Sequence, residues 1–123
     1  MSNNRRFVVL EHDHPILHWD LMLEFDGTLL TWRLPANVKP THWVNSEQLP
    51  DHRLAYLDYE GPVSKGRGTV RRITGGQYAG PDIMGPELNS KCDEVSFELF
   101  DCPFARSLAG RGLNTPDPEW RFQ

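Results

Sequence analysis

The sequence contains only two cysteines, no apolar run long enough to cross a bilayer, and no excess of positive charge. Cys92 and Cys102 are too few for a disulfide scaffold and too far apart for a paired zinc knuckle, so we expect two reduced thiols. Without an apolar segment of about 20 residues or a signal peptide, the protein is expected to be cytoplasmic, with no membrane contact. A formal net charge of −4 gives no overall attraction to phosphate, so nucleic acid must be contacted through a local patch.

A helical hydrophobic period is also missing, as are internal repeats and low-complexity linkers. Instead, short β-rich runs are separated by turn residues, and the 123 residues include ten glycines and ten prolines. This pattern predicts one all-β domain over residues 1–123, a barrel or sandwich with little helix. A long loop is expected over 79–92, and Gly75-Gly76 is expected to end a strand. The predicted strands are 6–11, 16–25, 28–34, 53–59, 69–74, 95–100 and 120–122.

The run 16–25 alternates strictly between apolar and polar positions and is the strongest structural signal in the chain. One face carries Leu17, Trp19, Leu21, Leu23 and Phe25, and the other carries His18, Asp20, Met22 and Glu24. Asp26-Gly27 follows directly and favours a two-residue type I′ hairpin, because both positions of that turn need positive φ. Phe25 then opposes Thr28, and Asp20 opposes Arg33 on the next strand.

The polar face of this run contains a candidate metal site. His18, Asp20 and Glu24 share the face, and His12 ends the preceding strand, where it converges on them if the two strands pair. Two imidazoles and a carboxylate leave coordination positions open for water and substrate, and these ligands suit manganese, iron(II) or zinc. Exposed or loop-bonded histidines are one alternative. An iron(II) oxygenase triad of His18, Asp20 and the distal His52 is another, although it leaves His12 without a role.

Two further groups of side chains are candidates for phosphate chemistry. His52 and Tyr56 lie four residues apart on a predicted strand, where an imidazole can protonate a leaving oxygen and a phenol can hold a phosphoryl oxygen. Ordinary strand-edge positions are the alternative for this pair. A basic cluster within eight residues is a candidate nucleic-acid-binding patch or, alternatively, a solvated strand face. Its members are Lys65, Arg67, Arg71 and Arg72.

Several motifs occur at a distinctive combined spacing over about the first three fifths of the chain. They are FVVLEH at 7–12, LHWDLMLEFDG at 17–27, WRLP at 32–35, DH at 51–52 with Tyr56, EG at 60–61 and GRGTV at 66–70. In these motifs the chain resembles the 3′-phosphoesterase domain of bacterial DNA ligase D, with a looser match toward the C terminus. The resemblance implies an antiparallel β-barrel of about eight strands.

The same resemblance implies roles for particular residues. His12, His18 and Asp20 correspond to ligands of a manganese-type divalent ion, and His52 and Tyr56 to phosphate contacts. Glu24 corresponds to a supporting position. The implied enzyme is a phosphoesterase that removes a 3′-terminal phosphate or ribonucleoside from DNA or primer ends in DNA repair. Its implied partners are nucleic acid 3′ ends, with a DNA ligase as a further candidate.

Two positions depart from the family pattern. Met22 stands where the family usually has an arginine, and Ala36 where it usually has a lysine. A non-catalytic barrel that binds nucleic acid ends is therefore an alternative. Because the hairpin register places Arg33 diagonal to position 22, one hypothesis is that its guanidinium replaces the missing cation. The other is that Arg33 pairs with Asp20 or extends into solvent.

Overall fold

A computed structural model describes residues 5–81 and 93–123 of the chain. Within these ranges it contains ten strands and a single 3₁₀-helical turn, Leu54–Leu57. No helix in the described ranges is long and apolar enough to span a membrane. Cys92 and most of the expected loop over 79–92 lie outside the described residues. The strands are β1 (Arg5–His12), β2 (His18–Phe25), β3 (Thr28–Pro35), β4 (Val44–Asn45), β5 (Glu47–His52), β6 (Gly61–Pro62), β7 (Thr69–Ala79), β8 (Glu94–Phe100), β9 (Ser107–Arg111) and β10 (Glu119–Phe122).

The strands form one antiparallel sheet in the order β4-β10-β9-β8-β7-β1-β2-β3-β5, with β6 paired to β7 beside this path. The two edge strands, β4 and β5, are separated in sequence by Ser46 alone, so the sheet curls until its edges meet. Among the described residues no ladder pairs β4 with β5. Chain continuity, rather than hydrogen bonding, therefore closes this loose barrel. The predicted all-β antiparallel class is confirmed.

The apolar residues are buried in two clusters. The larger includes Trp19, Leu21, Leu23, Trp32, Phe97 and Trp120. The smaller consists of Val8, Leu10, Met22, Leu29, Leu57 and Val70, with Tyr56 and Val63 packed against it. Because alternate residues of a strand point to opposite faces, Met22 shares the face of His18 and Asp20. That face is therefore also covered, and His18 and Asp20 are only 5% and 2% exposed.

The hairpin of β2 and β3 has the expected turn and register. Asp26 and Gly27 have φ of 52° and 80°, as a type I′ turn requires. Phe25 opposes Thr28, and Asp20 opposes Arg33. Because a two-residue turn permits no slippage, it fixes which β3 side chains stand beside the polar residues of β2.

The expected strand 53–59 is wrong, since this segment forms the 3₁₀ turn. The backbone N–H of Tyr56 donates to the Arg53 carbonyl at 3.1 Å, and that of Asp58 donates to the Ala55 carbonyl at 3.2 Å. These local bonds satisfy the backbone in place of a ladder. The strand that pairs with β3 is instead β5, which ends at His52.

Two strand boundaries also differ from those expected by more than one residue. Leu17 precedes β2 and is 48% exposed, so it does not belong to the apolar face. Strand β7 continues through Gly75-Gly76 instead of ending there. A Cβ at Gly75 would lie 2.9 Å from the Phe7 carbonyl oxygen, and one at Gly76 would lie 2.2 Å from that of Phe100. The glycines therefore allow two neighbouring backbones to approach the strand closely.

Candidate active site

His12, His18 and Asp20 meet at one end of the β1–β2 pair. His12 ends β1 and lies opposite His18 across the ladder, and Asp20 is two residues further along the same face. One potential ligand atom from each residue lies within 4.8 Å of the others. His12 Nδ1 is 3.5 Å from Asp20 Oδ2, and His18 Nε2 is 3.1 Å from Asp20 Oδ1. The structure thus brings together the three residues expected as metal ligands.

A backbone carbonyl orients each imidazole from its far side. His12 Nε2 donates to the Arg67 carbonyl at 2.7 Å, and His18 Nδ1 donates to the Ile16 carbonyl at 2.7 Å. Since a carbonyl only accepts hydrogen bonds, these two nitrogens carry the protons. The lone pairs of His12 Nδ1 and His18 Nε2 are then left, with the Asp20 carboxylate, for a shared cation. Metal-binding histidines are commonly held by outer partners in this way.

Two of the inward-facing atoms of the triad lack hydrogen-bond partners. His18 Nε2 and Asp20 Oδ1 are buried, and neither has a partner among the residues that the structure describes. With a neutral imidazole, two lone-pair atoms face each other at 3.1 Å away from water, an unfavourable arrangement unless a cation lies between them. Two nitrogens and a carboxylate suit a divalent transition-metal ion. These residues therefore form a candidate metal-binding triad.

His12 and Asp20 of the triad line a cleft of about 500 Å³. The cleft brings the sequence-predicted phosphate contacts beside the triad, since its lining includes His12, Asp20, Arg33, His52, Tyr56 and Arg67. The His52 and Tyr56 rings meet edge to face with centroids 5.6 Å apart. His52 Nδ1 donates to the Pro50 carbonyl at 2.9 Å. The second ring nitrogen, Nε2, takes no part in this hydrogen bond. The 3₁₀ turn, and not a shared strand face, pairs the two rings.

Arg33 reaches the cleft from β3, opposite Asp20. Its Nη1 lies 3.6 Å from Glu47 Oε1, and the two side chains are 39% and 69% exposed. Its Nε is buried without a hydrogen-bond partner within the described ranges. An exposed ion pair of this length contributes little free energy, so Glu47 holds the guanidinium only weakly.

Glu24 is not brought to the cleft. It lies toward the far end of β2 from His18, and it is not among the residues that line the cleft. Its Oε1 accepts a hydrogen bond of 2.9 Å from the backbone N–H of Arg6. This contact ties β2 to the start of β1.

The two basic residues before β7 share one turn. Arg67 lines the cleft, and its guanidinium donates to the carbonyl and the hydroxyl of Ser64 at 2.9 and 3.2 Å. Lys65 is exposed in the same turn, with a positive φ of 63°. Because the Arg67 carbonyl also accepts from His12, this turn contributes both a cation and a ligand-orienting group.

The other two basic residues do not complete a single patch. Arg71 and Arg72 are neighbours on β7 and so point to opposite faces. Arg71 Nη2 pairs with Glu11 Oε1 at 2.8 Å, and Arg72 Nη1 donates to the Leu57 carbonyl at 3.1 Å. The Arg71 hydrogen bond, together with one from Trp19, lowers the pKa of Glu11. Strand alternation thus divides the cluster that looked continuous in the sequence.

A clamp that sequence analysis missed holds the turn carrying Tyr56. Arg6 Nη2 lies 2.6 Å from Asp58 Oδ1, and Nη1 lies 3.1 Å from Oδ2. The hydrogen bond raises the pKa of Arg6 and lowers the pKa of Asp58. Arg72 holds the same turn through the Leu57 carbonyl. No local pattern signals the ion pair, because its partners are 52 residues apart in the sequence.

Residues 10–106 match the family model described as the DNA ligase D 3′-phosphoesterase domain, and this range contains the triad, His52 and Tyr56. The chain belongs to this family. The resemblance seen in its motifs is therefore confirmed, and with it a place among the phosphoesterase domains of this family.

Relatives of this DNA ligase D 3′-phosphoesterase domain occur within larger proteins. The multifunctional non-homologous end joining protein LigD of Mycolicibacterium smegmatis is 39% identical over 115 residues, which cover 89% of this chain and 15% of that protein. LigD of Pseudomonas aeruginosa is 40% identical over 63 residues, which cover 50% of this chain and 8% of that protein. The chain thus spans a small part of the length of these relatives.

Proposed function

We propose that the protein is a manganese-dependent phosphoesterase that processes the 3′ ends of DNA, or of DNA with a terminal ribonucleotide, during repair. Its products would be 3′-hydroxyl ends that a DNA ligase can use. One observation carries this proposal. The protein belongs to the DNA ligase D 3′-phosphoesterase domain family. In its structure two imidazole lone pairs and a buried carboxylate face one another at a cleft.

The ion would be held by His12 Nδ1, His18 Nε2 and a carboxylate oxygen of Asp20. When bound, such an ion supplies a Lewis acid for a phosphoryl oxygen and lowers the pKa of a coordinated water. The carbonyls of Ile16 and Arg67 keep both imidazoles in the ligand tautomer. Because His18 and Asp20 are almost fully buried, bulk water competes poorly for these donors.

His52 and Tyr56 act on the phosphoryl group. Since His52 Nδ1 is bonded to the Pro50 carbonyl, the proton for the leaving 3′-oxygen comes from Nε2 of the imidazolium as the phosphorus–oxygen bond breaks. The Tyr56 hydroxyl donates to a non-bridging oxygen on which negative charge develops. The clamp of Arg6 and Asp58 holds the turn on which this hydroxyl is carried.

Arg33 supplies the phosphate contact that Met22 and Ala36 cannot make. Replacing Arg33 with alanine is expected to lower kcat/KM for a 3′-phosphate primer by about 10–100-fold, the effect of losing a hydrogen bond to a charged group. Arg106→Ala is the matched control, because Arg106 is exposed and does not line the cleft. Turnover by Arg33→Ala that equals that of the control would show that Arg33 has no such role.

The activity itself is tested with a 5′-labelled primer that carries a 3′-phosphate. With manganese, we expect a 3′-hydroxyl primer of altered gel mobility, and a primer ending in a ribonucleotide should be shortened by one nucleotide. Chelation by EDTA should stop both reactions. The alternative, a non-catalytic end-binding barrel, is favoured by Met22 and Ala36. It predicts that the primer is bound but that no product forms at any manganese concentration.

A further inference from the structure

A second cavity of about 370 Å³ adjoins the cleft, and we call it the side pocket. Pro15 and Arg33 line both the side pocket and the cleft, so the two cavities are neighbours. The side pocket also contains residues from the loop before β2, from the end of β3 and from the β4–β5 connection. The lining residues on which the inference depends are Ile16, Leu17, Asn45 and Glu47.

The loop at the side pocket presents apolar side chains to solvent. Ile16 is 77% exposed and Leu17 is 48% exposed, more than any other large apolar side chain in the described ranges. The loop joins two members of the triad, and the Ile16 carbonyl itself orients His18. Because an exposed isoleucine adds nothing to the hydrophobic core, its side chain is free to contact a ligand at this position.

We propose that the side pocket binds the terminal nucleobase of the strand whose 3′ phosphate lies at the triad. This inference rests on the proposed function. Ile16 and Leu17 form an apolar wall, while Asn45 and Glu47 form a polar one. A nucleoside presents the matching surfaces, since the base has flat apolar faces and polar edges. Arg33, which lines both cavities, is placed on the 3′ phosphate, which the terminal sugar links to the base.

Binding of the base selects the end of a strand. A base within a duplex is stacked on both sides and cannot enter the side pocket, whereas a terminal base leaves its neighbour on one side only. The pocket therefore restricts hydrolysis to the last nucleotide. It does so without reading sequence, because every base has an apolar face.

The test compares two primers that carry a 3′-phosphate, one ending in 2-aminopurine and the other in an abasic nucleotide. For the wild type, kcat/KM is expected to be about 5–100-fold higher with the base-bearing primer, the range of one stacking contact. In Ile16→Ser/Leu17→Ser this ratio should fall to about one. Leu54→Ser is the matched control, because Leu54 is an exposed apolar residue outside both cavities, and it should keep the wild-type ratio.

A second readout separates this inference from the proposed function. The fluorescence of the terminal 2-aminopurine, measured on binding without manganese, should change with the wild type and not with the double variant. Equal kcat/KM values for the two primers would show that the side pocket does not bind the terminal base, although hydrolysis itself would still be confirmed. If neither primer is hydrolysed, the proposed function fails, but the fluorescence still tests whether the side pocket binds the terminal base. Unchanged fluorescence with the wild type, or the same change with the double variant, overturns the inference.

Discussion

Replacing His18 with alanine is expected to weaken manganese binding by more than about 100-fold and to remove measurable hydrolysis. Loss of an outer partner of a ligand already costs about 10–100-fold in metal affinity, so loss of the ligand itself should cost more. His18 Nε2 is one of only three inward-facing donors in the described site, and the side chain is 5% exposed. Calorimetric titration with manganese measures the affinity directly.

His42→Ala is the control for this experiment. His42 is exposed and outside the cleft, so its loss should leave the manganese affinity at the wild-type value. Far-UV circular dichroism checks that His18→Ala is folded. A folded His18→Ala protein that binds manganese as tightly as the control would show that the ion is held elsewhere.

Replacing His52 with alanine is expected to lower kcat by about 10²–10⁴-fold, the usual contribution of a general acid. Manganese affinity should stay unchanged, because His52 lies on β5 and is not part of the triad. Single-turnover kinetics on a 3′-phosphate primer and calorimetry on the same sample measure the two quantities. Together with His18→Ala, this variant separates binding of the ion from proton transfer.

Two results would contradict the role of His52. A kcat within about twofold of the wild type would mean that another group protonates the leaving oxygen. A loss of manganese affinity comparable to that of His18→Ala would make His52 a ligand instead. The edge-to-face packing of His52 on Tyr56 makes a circular dichroism control necessary here as well.

The part of the site that the sequence predicts well depends on short-range geometry. Alternation in β2 places His18 and Asp20 on one face, and the Asp26-Gly27 turn fixes Arg33 opposite Asp20. Each of these relations depends on only a few consecutive residues and on the period of a strand. The convergence of His12 with His18 needs only that two neighbouring strands pair, as they do in this structure.

The remaining features depend on contacts between distant segments. The β-like composition of 53–59 predicts a strand, because it does not reveal that Asp58 next to the 3₁₀ turn is held by Arg6. In the sequence alone, Gly75-Gly76 indicates the end of a strand. The structure shows instead that these glycines allow the neighbouring backbones to approach closely. Such relations are set by tertiary packing, which overrides local propensity.

The basic cluster illustrates the same limit for function. Lys65, Arg67, Arg71 and Arg72 look like one patch because they are close in sequence. In the structure Arg71 and Arg72 point to opposite faces of β7. Arg71 pairs with Glu11, and Arg72 donates to the Leu57 carbonyl. The exposure of the apolar loop beside the triad is not predicted by the sequence either. Leu17 fits the alternating pattern of the strand that follows it and therefore looks like part of its apolar face.

The central claim is that one divalent ion binds between His12, His18 and Asp20. Anomalous diffraction from a manganese-soaked crystal, collected on both sides of the manganese absorption edge, tests it most directly. We predict one strong peak about 2.0–2.3 Å from His12 Nδ1, His18 Nε2 and an Asp20 carboxylate oxygen. No peak between these three residues at saturating manganese, or a stronger peak elsewhere on the protein, would contradict the claim.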